Sequence, residues 1–509
     1  MTAWWCEYAW LGGDQVTAGV VLTVEAGRFV KITSGASAPP LGSERLDGLT
    51  IPGMANAHSH AFHRALRGRT QVGTGSFWTW RDQMYTVANR LDPDRYLTLA
   101  RATYAEMALA GITAVGEFHY LHHAPAGTPY DDANAMGHAL IAAAGDAGIR
   151  ISLLDTCYLQ GGIGVELTDT QRRFSDGDAL SWATRVSDLA DSLGSMPAAG
   201  SAALDDAVRA QPPVSPSEVS QPPADAPPAD APPAPETLVP ETLASRPMPV
   251  PQVSAPMARV GAAVHSVRAV DPAAMEIVRA WADSRGAPLH AHVSEQPAEN
   301  ERCLAAYGVT PTGLLAERGL LGERFTSVHA THLTDADVDL HGSRGCFCCF
   351  CPTTERDLAD GIGPARALVD TGARLTLGTD SHAVIDLFEE ARAVELDERL
   401  ASQVRGNHPA ASLLQMATID GYASLGWPDA GRLETGAIAD FVTVSLDSVR
   451  LAGMTPAHAL ESLIFAGTAG DVRHVVVGGR PIVRDGVHLS IDVVAELRRS
   501  IADAFGETS

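Results

Sequence analysis

The sequence predicts an α/β fold, a (β/α)₈ TIM-like barrel with a small β-sandwich domain formed from both chain ends. Three observations carry that reading. Eight apolar, strand-like runs alternate with amphipathic helical segments through the middle of the chain, the pattern of a parallel α/β fold. Most of these runs end in His, Asp or Glu, and the C-terminal ends of barrel strands are where reactive side chains gather. Short β patterns broken by glycine occupy both termini.

The N-terminal pattern runs through Gly19-Val20-Val21-Leu22-Thr23-Val24 and Gly27-Arg28-Phe29-Val30. It returns at Ala437-Ile438-Ala439-Asp440-Phe441-Val442-Thr443-Val444 and at Val472-Arg473-His474-Val475-Val476-Val477. The economical reading is one β-domain built from residues 1–50 and 431–509, with the barrel over 51–430. The barrel runs end at His58, Glu117, Asp155, His265, His292, His329, Cys351 and Asp380. Pro212 to Pro256 breaks the alternation with a tandem repeat, Pro222-Pro223-Ala224-Asp225-Ala226 and Pro227-Pro228-Ala229-Asp230-Ala231. Such acidic Pro/Ala sequence buries too little apolar surface to fold, so about 196–256 reads as a disordered insertion on a barrel loop.

A hydrophobic content of 45% supports a large core in this 509-residue chain. The 37 Lys and Arg against 61 Asp and Glu give a net charge of −24. That balance argues against nucleic acid and anionic membranes as partners, and an anionic substrate would need local arginines. There is no apolar run of about 18 residues, no basic start followed by an apolar stretch, and an odd count of seven cysteines. A cytoplasmic location is expected, and a homodimer is compatible with the sequence but not required by it.

His58-Ser59-His60 places two imidazoles on one side of a strand, where both can reach one metal ion. His292 and Asp380 at later strand ends complete three imidazoles and a carboxylate, a set suited to a zinc-like ion with room for water. His329 competes with His332 for a catalytic role and is preferred because it directly ends its run. His119, His122 and His123 read as loop residues near the barrel mouth. Cys346-Phe347-Cys348-Cys349-Phe350-Cys351 throws neighbouring thiols to opposite faces of a strand, so it reads as buried small hydrophobes rather than a metal knuckle. A lone Arg81 could simply pair with Asp82.

Pro52-Gly53-Met54 leading into His58-Ser59-His60, together with Gly436-Ala437-Ile438-Ala439-Asp440, resembles the amidohydrolase superfamily. His265 stands where binuclear members hold a bridging Lys, which points to the mononuclear, deaminase-like branch. Within it the chain is most similar to the formimidoylglutamate deiminase family of histidine breakdown. The similarity rests on His58-Ser59-His60-Ala61-Phe62, Trp80-Arg81-Asp82-Gln83-Met84-Tyr85, Gly116-Glu117-Phe118-His119-Tyr120, His265-Ser266-Val267-Arg268, His292-Val293-Ser294-Glu295-Gln296 and Cys351-Pro352-Thr353-Thr354-Glu355.

The resemblance implies hydrolysis of N-formimino-L-glutamate, a dicarboxylate, to N-formyl-L-glutamate and ammonia, with one zinc ion per chain. It implies that His58, His60, His292 and Asp380 bind zinc, that Glu295 and His329 are catalytic, and that Arg81, Tyr120, His265 and Arg268 hold substrate. The chemistry fits these residue types. Asp380 can take a proton from water, Glu295 can pass one to the leaving nitrogen, and arginine forks suit two carboxylates. One departure is His63, a further substrate-binding candidate, where family members often carry Gln. Two rival readings share much of this: a nucleobase or adenosine-derivative deaminase of the same superfamily, and a non-catalytic scaffold using the Pro-rich segment.

Overall fold

The computed structural model describes residues 1–71, 77–193 and 256–507. The insertion expected at about 196–256 lies outside the described residues, Pro256 aside. Strands β1 (Thr2–Ala9), β2 (Thr17–Glu25), β3 (Arg28–Thr33) and β4 (Glu44–Pro52) open the chain. They are followed by β5 (Met54–Ser59), β6 (Ile112–His119), β7 (Arg150–Cys157), β8 (Ala258–Val264), β9 (Leu289–Val293), β10 (Phe325–His329), β11 (Phe347–Phe350) and β12 (Arg374–Leu377). Strands β13 (Phe441–Val444), β14 (Val472–Val477), β15 (Arg480–Arg484) and β16 (Val487–His488) come last.

Strands β5 to β12 pair in parallel in sequence order, and a parallel bridge from Ser59 to Asp380 brings the last strand back to the first. Every residue of β5, β6, β7, β9, β10 and β11 is buried, as strands covered by helices outside and packed side chains inside must be. The intervening helices carry local start and stop signals. In Pro272–Arg285 the Asp271 carboxylate accepts from the Ala273 and Ala274 amides, proline fills the first turn, and Gly286 ends the helix at φ +59°.

Both chain ends contribute to the other sheet, in the order β16-β15-β14-β13-β4-β1-β2-β3. Its far edge curls back. The Phe29 amide donates to the Ala437 carbonyl, and the Gly436 and Ala439 amides donate to Phe29 and Gly27. The curl encloses a second core that includes Trp4, Leu22, Phe29 and Phe441, giving the sheet a sandwich-like interior. Strand β4 passes into β5 through Gly53, where a Cβ would sit 2.1 Å from Thr113 Oγ1, so no larger residue fits the crossing. The sheet thus hands the chain to the barrel a few residues past position 50, and five residues later that chain presents His58.

A buried ion pair locks the two sheets together. Arg150, at the start of β7, donates from Nε and Nη2 to Asp440 at 2.7 and 3.0 Å, and neither side chain is exposed. Tyr422 Oη and the Gly478 amide also donate to that carboxylate. Removing one member of such a pair leaves the other charged and unsolvated. Arg150→Met is therefore expected to cost about 3–5 kcal/mol, read as a lowered denaturation midpoint. A midpoint equal to wild type would show that water or another donor takes over at Asp440.

Candidate active site

The end of β12 is stitched to β5 by backbone and side chain. Asn56 Nδ2 donates to Thr379 Oγ1 at 2.7 Å, and the Thr379 amide donates to Asn56 Oδ1 at 3.0 Å. The Asp380 amide reaches the His58 carbonyl at 3.0 Å, and the His60 amide the Asp380 carbonyl at 3.3 Å. Gly378 allows this approach, since a Cβ there would lie 2.7 Å from His58 Cβ. Asp380, His329 and Ser294 all hold positive φ (+39°, +68° and +52°), so the strand ends that bear reactive groups are conformationally strained.

Stitching gathers two overlapping sets of side chains about His58, with His60 and Asp380 in one and His292 and His329 in the other. His58 Nε2 lies 3.2 Å from His292 Nε2 and 3.2 Å from Asp380 Oδ1, and His60 Nε2 lies 3.4 Å from the same oxygen. His60 Nδ1 and His292 Nδ1 each lie 2.9 Å from a backbone carbonyl, of Phe118 and His265 respectively. A carbonyl can only accept, so both Nδ1 atoms carry the hydrogen and both Nε2 lone pairs point inward. Burial pushes the His60 imidazole down to about 3, with His58 adding to the effect, and His292 and His58 are also depressed. Lone pairs and a carboxylate oxygen thus converge with no proton between His60 and Asp380. Such a donor set is repulsive by itself and fits a divalent cation.

Around this point runs a chain of alternating charge. Glu355 Oε1 lies 3.3 Å from His329 Nδ1, and Glu295 Oε1 lies 3.9 Å from His329 Nε2. Glu295 Oε2 is 3.4 Å from Arg268 Nη2, and Arg268 Nε is 3.3 Å from Glu299 Oε2. Burial opposes the His329 charge, yet the Glu355 hydrogen bond and the fields of Glu295 and Asp380 raise its pKa to about 10. Burial lifts Glu299 to about 6 despite Arg268.

His60, His292 and Asp380 open onto a cleft of about 840 Å³, which also has Arg81, Tyr120, His265, Arg268, Glu295 and His329 on its walls. His58 sits behind them, fully buried. His63 lines the same cleft with Nε2 3.0 Å from Tyr120 Oη, so this imidazole makes a polar contact there. The Arg81 guanidinium lies 5.5 Å from the Tyr85 ring centre, on the helix Phe77–Ala88.

A family model, the amidohydrolase family, matches residues 49–482. The chain belongs to the amidohydrolase family. A formimidoylglutamate deiminase from Pseudomonas aeruginosa is 33% identical over 458 residues, covering 88% of this chain and 87% of the relative. A 5-methylthioadenosine/S-adenosylhomocysteine deaminase from Natronomonas pharaonis is 27% identical over 491 residues, covering 95% and 92%. A crystal structure of an amidohydrolase from Brucella melitensis superposes with a TM-score of 0.80 at 28% identity, covering 99% of this chain and all of the other. As an amidohydrolase the chain is a metal-dependent hydrolase acting on C–N bonds.

Several residues of this amidohydrolase do otherwise than sequence reasoning expects. His119, His122 and His123 are buried rather than lining the mouth. His122 Nε2 donates to the Thr156 carbonyl, and His123 Nε2 donates to Asp176. Asp155 ends a strand run as Asp380 does, but its carboxylate is taken by Arg185 and by Trp182 Nε1. Glu117 accepts from Ser59 Oγ and the Ala61 amide, both at 2.7 Å, and so clamps the chain on either side of His60. The cysteines of the Cys346 to Cys351 run, by contrast, are buried as the sequence predicts, and all seven cysteines are free. Sequence reasoning gave no role to Glu299, Glu355 or the cleft residue Arg302. Glu299 stands in the first turn of helix Pro297–Tyr307, beyond Glu295 and the Gln296 cap, so helical spacing from Glu295 gave no signal for it.

Two outcomes follow for the purified protein. It should carry about one divalent ion per chain, lost almost completely in His58→Ala or His292→Ala on metal analysis; full occupancy in both variants would remove the site. The second concerns Glu117, which burial raises from 4.5 to about 7. Its folded-state proton stabilises the fold fully below about pH 4.5, and that contribution is lost as pH rises through about 7. The stability of Glu117→Gln relative to wild type should therefore increase between about pH 5 and pH 8 in urea titrations, and a constant difference would contradict the shift.

Proposed function

We propose that this amidohydrolase hydrolyses the formimino group of N-formimino-L-glutamate, giving N-formyl-L-glutamate and ammonia, with one zinc ion per chain. The observation that carries the reading is that Arg81 and Arg268 are among the guanidiniums on the wall of the cleft that also exposes His60, His292 and Asp380. In a chain of net charge −24, an anionic substrate needs such local cations, and planar forks suit carboxylates. The 33% identical deiminase supports the same substrate.

His58, His60, His292 and Asp380 would hold the zinc, which supplies Lewis acidity and brings the pKa of water toward neutrality. The Asp380 carboxylate accepts the proton of the attacking water. Oxygen adds to the formimino carbon, the C=N bond becomes single with its electron pair on nitrogen, and His329 donates a hydrogen bond to the added oxygen. Glu295 carries that proton to the nitrogen and then the remaining proton of the added hydroxyl, so that the nitrogen gains two hydrogens, the C–N bond breaks, and ammonia leaves as the C=O bond forms. Tyr120 and His265 add neutral hydrogen bonds to the substrate, and His63 holds Tyr120.

A second reading, deamination of an adenine nucleoside, is favoured by the rings of Trp80, Tyr85, Tyr158 and Phe174 on the cleft wall and by the 27% identical relative. An uncharged nucleoside, however, calls on neither guanidinium. Ammonia release from N-formimino-L-glutamate against 5-methylthioadenosine separates the two readings. On the former, Arg81→Met and Arg268→Met should each lower kcat/KM by roughly two orders of magnitude with metal content unchanged. Arg268→Met also strips Glu299 of its buried partner, so Arg81→Met is the sharper variant. Glu295→Gln should bind substrate and fail to turn it over. Undiminished kinetics in Arg81→Met would turn the assignment toward the nucleoside.

A further inference from the structure

Glu355 has no place in the steps above, yet it is the buried group nearest the far side of His329. It lies in the first turn of the helix Pro352–Leu358 that follows β11. One of its oxygens, Oε1, accepts both the Cys351 amide at 2.8 Å and His329 Nδ1 at 3.3 Å. The amide fixes the carboxylate, and the carboxylate fixes the ring. His329 needs such a fixture, since its own backbone is held at φ +68° and its other nitrogen must face Glu295, 3.9 Å away. The ring is also stacked on His292 at 13° between planes, which sets its tilt but not which nitrogen faces Glu295. A carboxylate accepts only, so Nδ1 must be the donor.

We propose that Glu355 is a positioning residue for His329, holding its ring and its Nδ1 proton so that Nε2 faces Glu295 and the cleft. Glu355 acts through His329 and touches no substrate. The proposal rests on the catalytic role given to His329, but not on which substrate the cleft takes.

A double-mutant cycle on kcat tests it, with Glu355→Leu, His329→Gln and the pair. Glu355→Leu should lower kcat roughly 10- to 100-fold, with KM little changed and metal content retained. Added to His329→Gln, it should cost nothing further. Glu355→Gln keeps a carbonyl oxygen for both donors and should retain most of kcat, whereas Glu355→Asp, with the carboxylate drawn back, should not. If Glu355→Leu does not fold, this Gln–Asp pair carries the test. The cycle is read on whichever substrate the wild type turns over, so failure with N-formimino-L-glutamate leaves it intact. A readout independent of turnover is the Nδ1–H signal of His329 in ¹⁵N-histidine-labelled enzyme, present in wild type and Glu355→Gln and lost in Glu355→Asp. Additive losses in the cycle, equal kcat in the Gln and Asp variants, or an Nδ1–H signal unmoved in Glu355→Asp would each overturn the proposal.

Discussion

Closure of the barrel between its last and first strands is the constraint on which the rest of the site depends. His58 and His60 come from β5, and Asp380 follows β12, more than three hundred residues on. Nothing local brings them together. The Asn56–Thr379 pair of hydrogen bonds and the backbone bonds from His58 to Thr379 and Asp380 do so, and they work only because Gly378 lets the strands approach. The small side chains of Ala57, Cys349 and Cys351 pack together beneath this seam, where larger ones would hold the strands apart. A one-residue slip in either strand would turn one of these side chains away from the others.

The same logic decides what could be read from the sequence. His58, His60, His292 and Asp380 were legible because alternation along a strand fixes which face a side chain takes, and a barrel fixes where strand ends meet. The eight strand runs were legible for the same reason, although β6 and β7 run two residues past Glu117 and Asp155. What alternation cannot show is the partner. Asp155 and Asp380 look alike in sequence, but Arg185 arrives at Asp155 from a helix some thirty residues away, and two histidine imidazoles arrive at Asp380. Glu117 ends a strand run too, and it serves the backbone around His60 rather than the cleft. Glu355 was hidden by its position, since its role appears only when the turn after β11 is laid beside the end of β10.

Electrostatics separates these structural acids from the reactive ones. Asp155 is saturated by donors that cannot leave, and burial alone does not free it for chemistry. Glu295 shares its neighbours loosely, at 3.4 Å from Arg268 and 3.9 Å from His329, so it can exchange partners when a substrate enters. The alternation Glu299, Arg268, Glu295, His329, Glu355 keeps the buried charges close to balance without pinning the central carboxylate. A buried run of like charge would shift toward the neutral forms instead, as burial does to Glu299 even beside its guanidinium.

This balance also bears on specificity. Arg268 is already flanked by two carboxylates, so a substrate carboxylate that reaches it competes with Glu295 and Glu299 rather than meeting a free cation. A group that wins that competition draws Arg268 away from Glu295 and Glu299. A neutral nucleoside seated against the ring wall of Trp80, Tyr85 and Tyr158 would leave that ion pair in place, and Glu295 with it. Recognition of charge in this cleft therefore involves rearranging buried ion pairs, which aromatic contact alone does not require.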